Sequence, residues 1–200
     1  MDRNIDTILI KKIEESGYRN LFLSNDDIVE KVIWNQGNNK DKLKSIAYSE
    51  NTSHLARFLT VEILKKYNVE IDVEFYEIIA ESYGYALHRT TMGDSKFYGI
   101  VGNLWGLLYE ENDLGKLGDF YVSLGEKAIP SLVKLLSYDN SEIFYEGSEE
   151  ATLGNSYQYR VKDFAAFYIS KIKGIPMTFY QDFDKRDAEI ERLKEVLENK

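Results

Sequence analysis

The sequence of 200 residues contains no cysteine, which excludes a disulfide framework and any zinc or iron–sulfur centre held by thiolates. Histidine is nearly as scarce, because His54 and His88 are the only two and form neither a pair four residues apart nor an HExxH motif. The chain also lacks a P-loop lysine, a DxDxDG calcium loop and a GxSxG nucleophile elbow. These absences predict a protein that is not an enzyme and that holds no metal and no cofactor.

Basic charge is also in short supply. The 25 Lys and Arg residues face 34 Asp and Glu residues, so the formal net charge at pH 7 is −9 and the pI is about 4.9. Binding to nucleic acid or to an anionic membrane surface needs clustered basic residues, so neither partner is expected. The most apolar stretch, residues 97–109, is shorter than the roughly 20 residues that cross a bilayer. The first residues lack the basic and apolar regions of a signal peptide, so a cytoplasmic location is expected.

Only two prolines interrupt the chain, and apolar residues recur mostly at three- and four-residue spacings, which is typical of amphipathic helices. Ser53 precedes one of these patterns as a helix cap, and Gly174 follows another as a helix stop. No segment alternates over its length between apolar and polar residues, as a half-buried strand would. The sequence therefore predicts a single all-α domain over residues 1–200 with about nine or ten helices, and residues 97–109 as a central, buried helix.

Two segments in the last third carry a recognisable pattern. Residues 129–136 read Ile-Pro-Ser-Leu-Val-Lys-Leu-Leu and are followed by Asp139, and further along Tyr159-Arg160-Val161 precedes the pair Ala165-Ala166. Residues 128–172 therefore resemble a HEAT repeat, whose first helix carries an Ile-Pro-x-Leu-x-x-Leu-Leu run and whose second helix has two small alanines on its inner face. The resemblance implies a HEAT-like α-α superhelix, which is a solenoid of helical pairs with a concave binding surface.

The HEAT-like pair is expected at residues 126–173, with an acidic insertion at residues 139–157 where HEAT repeats have a short turn. Residues 139–150 carry five carboxylates and no basic residue, together with two aromatic side chains. Carboxylates attract the Lys and Arg residues of a partner, and aromatic side chains provide buried anchors. We predict partner binding at Glu142, Phe144, Tyr145, Glu146, Glu149, Glu150, Tyr157, Tyr159 and Arg160, with residues 157–160 as the most exposed aromatic cluster. The alternative is a solvated surface loop whose aromatic side chains pack onto the helices.

The sequence thus favours a non-enzymatic protein-binding module for a basic protein partner. In size and character the chain resembles small acidic bacterial immunity proteins, which neutralise cationic toxin domains, and this likeness implies that the partner is a toxin. Two alternatives stay open. One is a general HEAT-like scaffold or adaptor, and the other is a hydrolase that uses His54 or His88 with a tyrosine and a carboxylate. The sequence leaves the oligomeric state undetermined.

Overall fold

The structure, a computed structural model, describes residues 6–24, 27–97, 100, 104–106, 113–138 and 154–199. Every regular element within these ranges is helical and none is a strand, so the all-α prediction is confirmed. The chain divides into two compact units, Met1–Ile100 and Val101–Lys200. We describe each unit by itself, and the single domain expected from the sequence stays a prediction.

The first unit is organised around one buried helix. Helix α3 packs against α1, α2 and α4, and its buried side chains include Phe58, Leu59 and Ile63. Its α-helices are α1 (Thr7–Tyr18), α2 (Lys40–Ala47), α3 (His54–Lys66) and α4 (Tyr76–Thr91), and its π-helical turns are Arg19–Leu23 and Val29–Trp34.

Local chemistry explains where these helices begin and bend. The Asp6 carboxylate accepts a hydrogen bond from Leu9 N (3.0 Å) at the start of α1. Gly17 has φ 65° and ψ 174°, a conformation that suits glycine, and there the α-helical backbone is broken before a π-helical turn follows. In the π-helical turn Val29–Trp34 the buried side chains are Val29 and Ile33, whereas Val32 is 38% exposed. A π-helical turn advances less per residue than an α-helix and so shifts the buried face.

The second unit is organised around helix α7, which packs against α5, α6 and α8. All but one of the residues from Val161 to Ser170 are buried, so this helix is enclosed on nearly all sides. Pro130 stands in the first turn of α6, where its missing N–H costs no hydrogen bond. The α-helices of this unit are α5 (Gly115–Ser123), α6 (Ile129–Leu135), α7 (Val161–Lys173) and α8 (Phe183–Glu198).

The predicted central helix over residues 97–109 is wrong at the positions that are described. Phe97 ends a 3₁₀ turn, residues 104–105 form a turn, and Gly106 has φ 81°, which no right-handed helix contains. The apolar character of the stretch reflects burial rather than helical form, because Phe97, Ile100 and Trp105 are all buried. Periodicity cannot distinguish a buried turn from a buried helix when almost every residue is apolar.

Candidate functional site

A groove of about 570 Å³ in the second unit has the size of a ligand-binding cavity. Three parts of the unit contribute to it: the end of the segment that precedes α7, one face of α7, and the connector between α7 and α8. We call it the aromatic groove, and it is lined by Tyr157, Tyr159, Phe167, Ser170, Lys171, Gly174, Ile175, Pro176, Met177, Thr178 and Phe179.

One wall is formed by α7 and the connector that follows it. Gly174 ends the helix at φ 63° and ψ 31°, and Ile175 N donates back to Ser170 O (3.0 Å), which is the hydrogen bonding expected after a left-handed glycine. This turn directs the connector back along α7, so that the ring of Phe179 meets that of Phe167 edge-on at 5.7 Å. The predicted glycine stop is therefore confirmed, and it also shapes the groove.

The opposite wall is formed by Tyr157 and Tyr159, whose rings lie 5.2 Å apart. Gln181, two residues before α8, and Arg186 within α8 hold this segment. The amide of Gln181 donates to the Ser156 hydroxyl (2.7 Å), and Arg186 Nη2 donates to the carbonyl of Tyr157 (2.8 Å). The wall is therefore tied to a helix that lies 25 or more residues further along the chain.

Behind this wall lies a cluster of charged side chains that we call the ion cluster: Arg160, Lys162, Asp163, Arg186 and Asp187. Asp163 is fully buried and accepts from Arg160 N (2.8 Å), Nε (3.1 Å) and Nη2 (2.9 Å). The same guanidinium reaches Asp187 Oδ1 (2.5 Å), and Lys162 Nζ lies 3.2 Å from that carboxylate. Burial raises the pKa of Asp187, but hydrogen bonds from Arg160 and Lys162 outweigh it and leave the pKa below its usual value.

Arg186 is the least compensated charge of the ion cluster. It is fully buried, and its guanidinium lies between the rings of Tyr159 (5.4 Å) and Phe183 (4.9 Å). Asp163 Oδ1 lies 3.4 Å from Nε, but neither Nε nor Nη1 makes a hydrogen bond within the described ranges. Burial therefore lowers the pKa of Arg186, against the opposing influence of Asp163.

The predicted binding residues divide into two groups. Only the last three fall within the described residues, and of these Tyr157 is half-buried and lines the groove. The expectation that Tyr159 and Arg160 are exposed is wrong: they are 0% and 4% exposed, because the ring packs against Arg186 and the guanidinium is held by two carboxylates. The others lie in the segment 139–153, outside the described residues: Glu142, Phe144, Tyr145, Glu146, Glu149 and Glu150.

The sequence contains a signal for the burial of Arg186, which was not predicted. Ile190 and Leu193 are the buried apolar residues of α8, and Arg186 stands four and seven positions before them, on the same helical face. An arginine on an apolar face predicts a buried, paired guanidinium. The partners could not be read from the sequence, because Tyr157 and Asp163 lie more than 20 residues earlier.

The first unit contains a second cavity, of about 520 Å³, next to one of the two histidines. The lining of this cavity includes a histidine, hydroxyl groups and carboxylates, which are the groups that the hydrolase alternative requires. The Ser53 hydroxyl donates to Glu14 and accepts from Ala56 N (3.1 Å), so it is engaged in the predicted cap of α3. The cavity is lined by Glu14, Glu15, Ser53, His54, Leu55, Tyr85 and Lys96.

His54 in this cavity is oriented by a buried arginine. Its Nδ1 lies 3.2 Å from Arg57 Nη1, and a guanidinium only donates, so Nδ1 accepts and the ring carries its proton on Nε2. Arg57 is 2% exposed and also donates to the carbonyls of Ser49 (2.8 Å) and Thr52 (2.9 Å). Ser53 and His54 are therefore engaged in contacts that anchor the start of α3. Hydrolysis stays a prediction of the sequence alone.

The other histidine gives the first unit a predicted pH dependence. Burial and the neighbouring Arg89 lower the pKa of His88 below 6.5, so at pH values between the folded pKa and 6.5 the unfolded chain binds more protons. The contribution of neutral His88 to the free energy of unfolding is therefore fully present above pH 6.5, and it is lost as the pH falls toward the folded pKa. Thermal unfolding from pH 7 to pH 5 should show a smaller loss of melting temperature for H88Q than for the unchanged protein. An equal loss for H88Q and the unchanged protein would contradict this assignment.

Comparison of the chain with protein-family models, with curated proteins and with solved structures finds no match. Within the described residues, no helix is long and apolar enough to cross a membrane. In the same ranges no three His, Asp or Glu side chains come together in a group that could hold a metal ion. The aromatic groove and the ion cluster behind it are therefore the features on which a function can be argued.

Proposed function

We propose that the protein is a non-enzymatic binding module that recognises a basic protein partner through the acidic insertion and the aromatic groove together. The observation that supports this is the position of Tyr157, which is the last residue of the insertion and also part of a groove wall. Seven positions separate Glu150 from Tyr157, and a stretch of that length spans at most about 25 Å. The last carboxylates of the insertion are therefore near enough to act on a partner that reaches the groove.

The two features have complementary roles in this proposal. Carboxylates of the insertion attract Lys and Arg side chains over a distance and raise the association rate. The groove buries an apolar side chain of the partner, which supplies most of the affinity, as aromatic pockets at interface centres do. The ties from α8 to the Tyr157 backbone hold the wall in place before binding, so less ordering is required when the partner arrives.

The HEAT-like pair belongs to the same proposal. Helices α6 and α7 pack against each other, Pro130 opens the first of them, and Ala165 and Ala166 are fully buried in the second. Small side chains at these positions allow two helices to approach closely. In this view residues 126–173 form one helical pair of a solenoid, and insertions in such repeats commonly serve partner binding.

We further propose that the partner is a cationic toxin domain and that the protein acts as its cytoplasmic immunity protein. The net charge of −9 favours this choice over a general adaptor, because a neutralising protein must oppose a strongly basic surface. A toxin gene next to the gene for this protein would support the immunity role. Its absence would favour the HEAT-like scaffold or adaptor instead.

The basic-partner proposal predicts a large effect of charge reversal in the insertion. With the protein as bait in extracts of its own organism, we expect a basic protein to be captured and identified by quantitative mass spectrometry. The triple change E146K/E149K/E150K should reduce the capture at least tenfold, because each reversal replaces attraction by repulsion. Raising the salt concentration should reduce the capture by the unchanged protein in the same direction.

The matched control carries the same change of charge away from the insertion. Glu191, Glu195 and Glu198 are exposed on α8, so E191K/E195K/E198K alters the net charge equally without touching the groove lining. This variant should keep most of the capture. Equal losses in both variants would show that only the net charge matters, and no loss in either would overturn the proposal.

A further inference from the structure

The aromatic groove has a charge opposite to that of the protein as a whole. Lys171 is the one charged residue among its described lining residues, and the others are apolar or neutral. Its side chain is exposed, and Nζ lies 5.1 Å above the centre of the Phe167 ring. Lys171 makes no ion pair within the described ranges, so its ammonium is available to an anion at the edge of an apolar surface.

A second, independent positive charge lies behind the Tyr159 wall. The ion cluster contains two buried cations, Arg160 and Arg186, but only one fully buried carboxylate, that of Asp163. Asp187 is 41% exposed and also pairs with Lys162, so within the described residues the cluster holds three cations and two carboxylates. Because Arg186 lies against the face of Tyr159, the excess positive charge is one aromatic ring away from the groove. Because the Arg186 guanidinium is buried, solvent screens this charge less than it screens a surface cation, and the charge favours an anionic occupant.

We propose that the aromatic groove binds the free C-terminal carboxylate of a protein chain whose last side chain is apolar. The carboxylate pairs with Lys171, and the side chain packs against Phe167 and Phe179. A terminal carboxylate lies next to its own side chain, whereas neighbouring side chains of an extended peptide point to opposite faces. A C-terminal residue can therefore place its carboxylate on Lys171 and its apolar side chain on the ring beneath that ammonium.

A chain terminus suits this groove better than a small molecule does. The groove is open to solvent along part of its length, so an occupant can continue out of it as a polypeptide. Recognition of a terminal carboxylate is an established way for proteins to bind peptide ends. This inference concerns the groove alone and does not depend on the acidic insertion or on a basic partner.

The test uses the full-length protein and two fluorescein-labelled peptides, Gly-Ser-Gly-Leu-Phe with a free C-terminal carboxylate and the same peptide as its C-terminal amide. We expect fluorescence anisotropy to show the acid binding at least tenfold more tightly than the amide, because only the acid pairs with Lys171. In K171M the acid should bind as weakly as the amide. K116M is the control, since Lys116 is exposed on α5 and does not line the groove, and it should keep the full difference.

Several results would overturn the inference. These are equal binding of acid and amide, a difference that persists in K171M, and no binding of either peptide. Displacement of the acid peptide by 3-phenylpropanoate with equal affinity would assign the groove to small aromatic acids instead. Circular dichroism of K171M confirms folding, because the side chain is exposed. The insertion variant E146K/E149K/E150K should bind the acid peptide normally, so failure here and failure of the basic-partner proposal are distinguishable.

Discussion

Replacing Asp163 by Asn lowers the free energy of unfolding of the second unit by about 3–5 kcal/mol, the usual effect of breaking a buried ion pair from one side. The reason is the uneven charge of the ion cluster. Asp163 is the single fully buried carboxylate that faces Arg160 and Arg186, and without its charge two buried cations are left with the partly exposed Asp187. Asn keeps the shape but replaces one accepting oxygen by an NH2 group, so the loss combines the missing charge with the hydrogen bonds that oxygen accepts.

The matched substitution on the other side of the pair should behave differently. In R186M the unmatched cation is replaced by an apolar side chain of similar length, and Arg160, Asp163, Asp187 and Lys162 are left in balance. The variant loses one hydrogen bond to Tyr157 O and the contacts with two rings, but it also removes the cost of burying an incompletely bonded guanidinium. We expect a change within about 1 kcal/mol, in spite of full burial.

Hydrogen exchange followed by mass spectrometry, combined with chemical denaturation, tests this pair of predictions. Peptides from α7 should lose protection in D163N and keep it in R186M, and peptides from α3 in the first unit serve as the internal control. The double variant D163N/R186M should regain part of the stability that D163N loses, because it removes one of the two uncompensated cations. A loss in R186M as large as that in D163N would contradict the charge argument.

Local signals predicted the helices of this protein better than its site. The cap at Ser53 and the glycine stop at Gly174 each depend on chemistry within a few residues, and both are confirmed. The face of the π-helical turn at Val29 and the turn at Gly106 were not predicted. Both features depend on which distant residues of the same unit pack against them, and the local sequence pattern carries no information about those contacts.

The site shows the same division. Tyr157 was predicted as a binding residue from its place in an aromatic cluster, and it does line the aromatic groove. Lys171 and the connector that follows Gly174 were not predicted to be part of a site, because the groove forms only when the connector folds back along α7. Arg160 was predicted to be exposed as part of the same cluster, and its guanidinium is instead held by Asp163, three residues away, and by Asp187, 27 residues away.

Gly106 to Ala is the substitution we expect to damage the second unit most among changes of a single small side chain. The residue has φ 81°, and an added Cβ would lie 2.5 Å from Asp113 O and 2.6 Å from Leu114 O. Both atoms belong to backbone, so neither can move aside as the end of a flexible side chain could. A left-handed alanine costs about 1–2 kcal/mol and overpacking a further 1–3 kcal/mol, so we expect a total loss of about 2–5 kcal/mol.

The damage should extend from this turn to the core of the unit. The turn supplies Leu104 O to Leu117 N (2.6 Å) at the start of α5, and Trp105 O accepts from the Tyr168 hydroxyl on α7. Displacing it therefore loosens α5 and α7, of which α7 lines the groove. In a W34F background Trp105 is the sole tryptophan, and its fluorescence reports this unfolding directly.

Gly125 provides the matched control for the turn. It has φ 61°, but an added Cβ would meet nothing within 4 Å, so G125A carries the backbone strain without the collision. We expect G125A to lose about 1–2 kcal/mol, and G106A to lose clearly more because close contact with rigid backbone adds to the same strain. Equal losses would show that the approach of residues 113–114 to Gly106 does not limit the fold, and that only the left-handed conformation does.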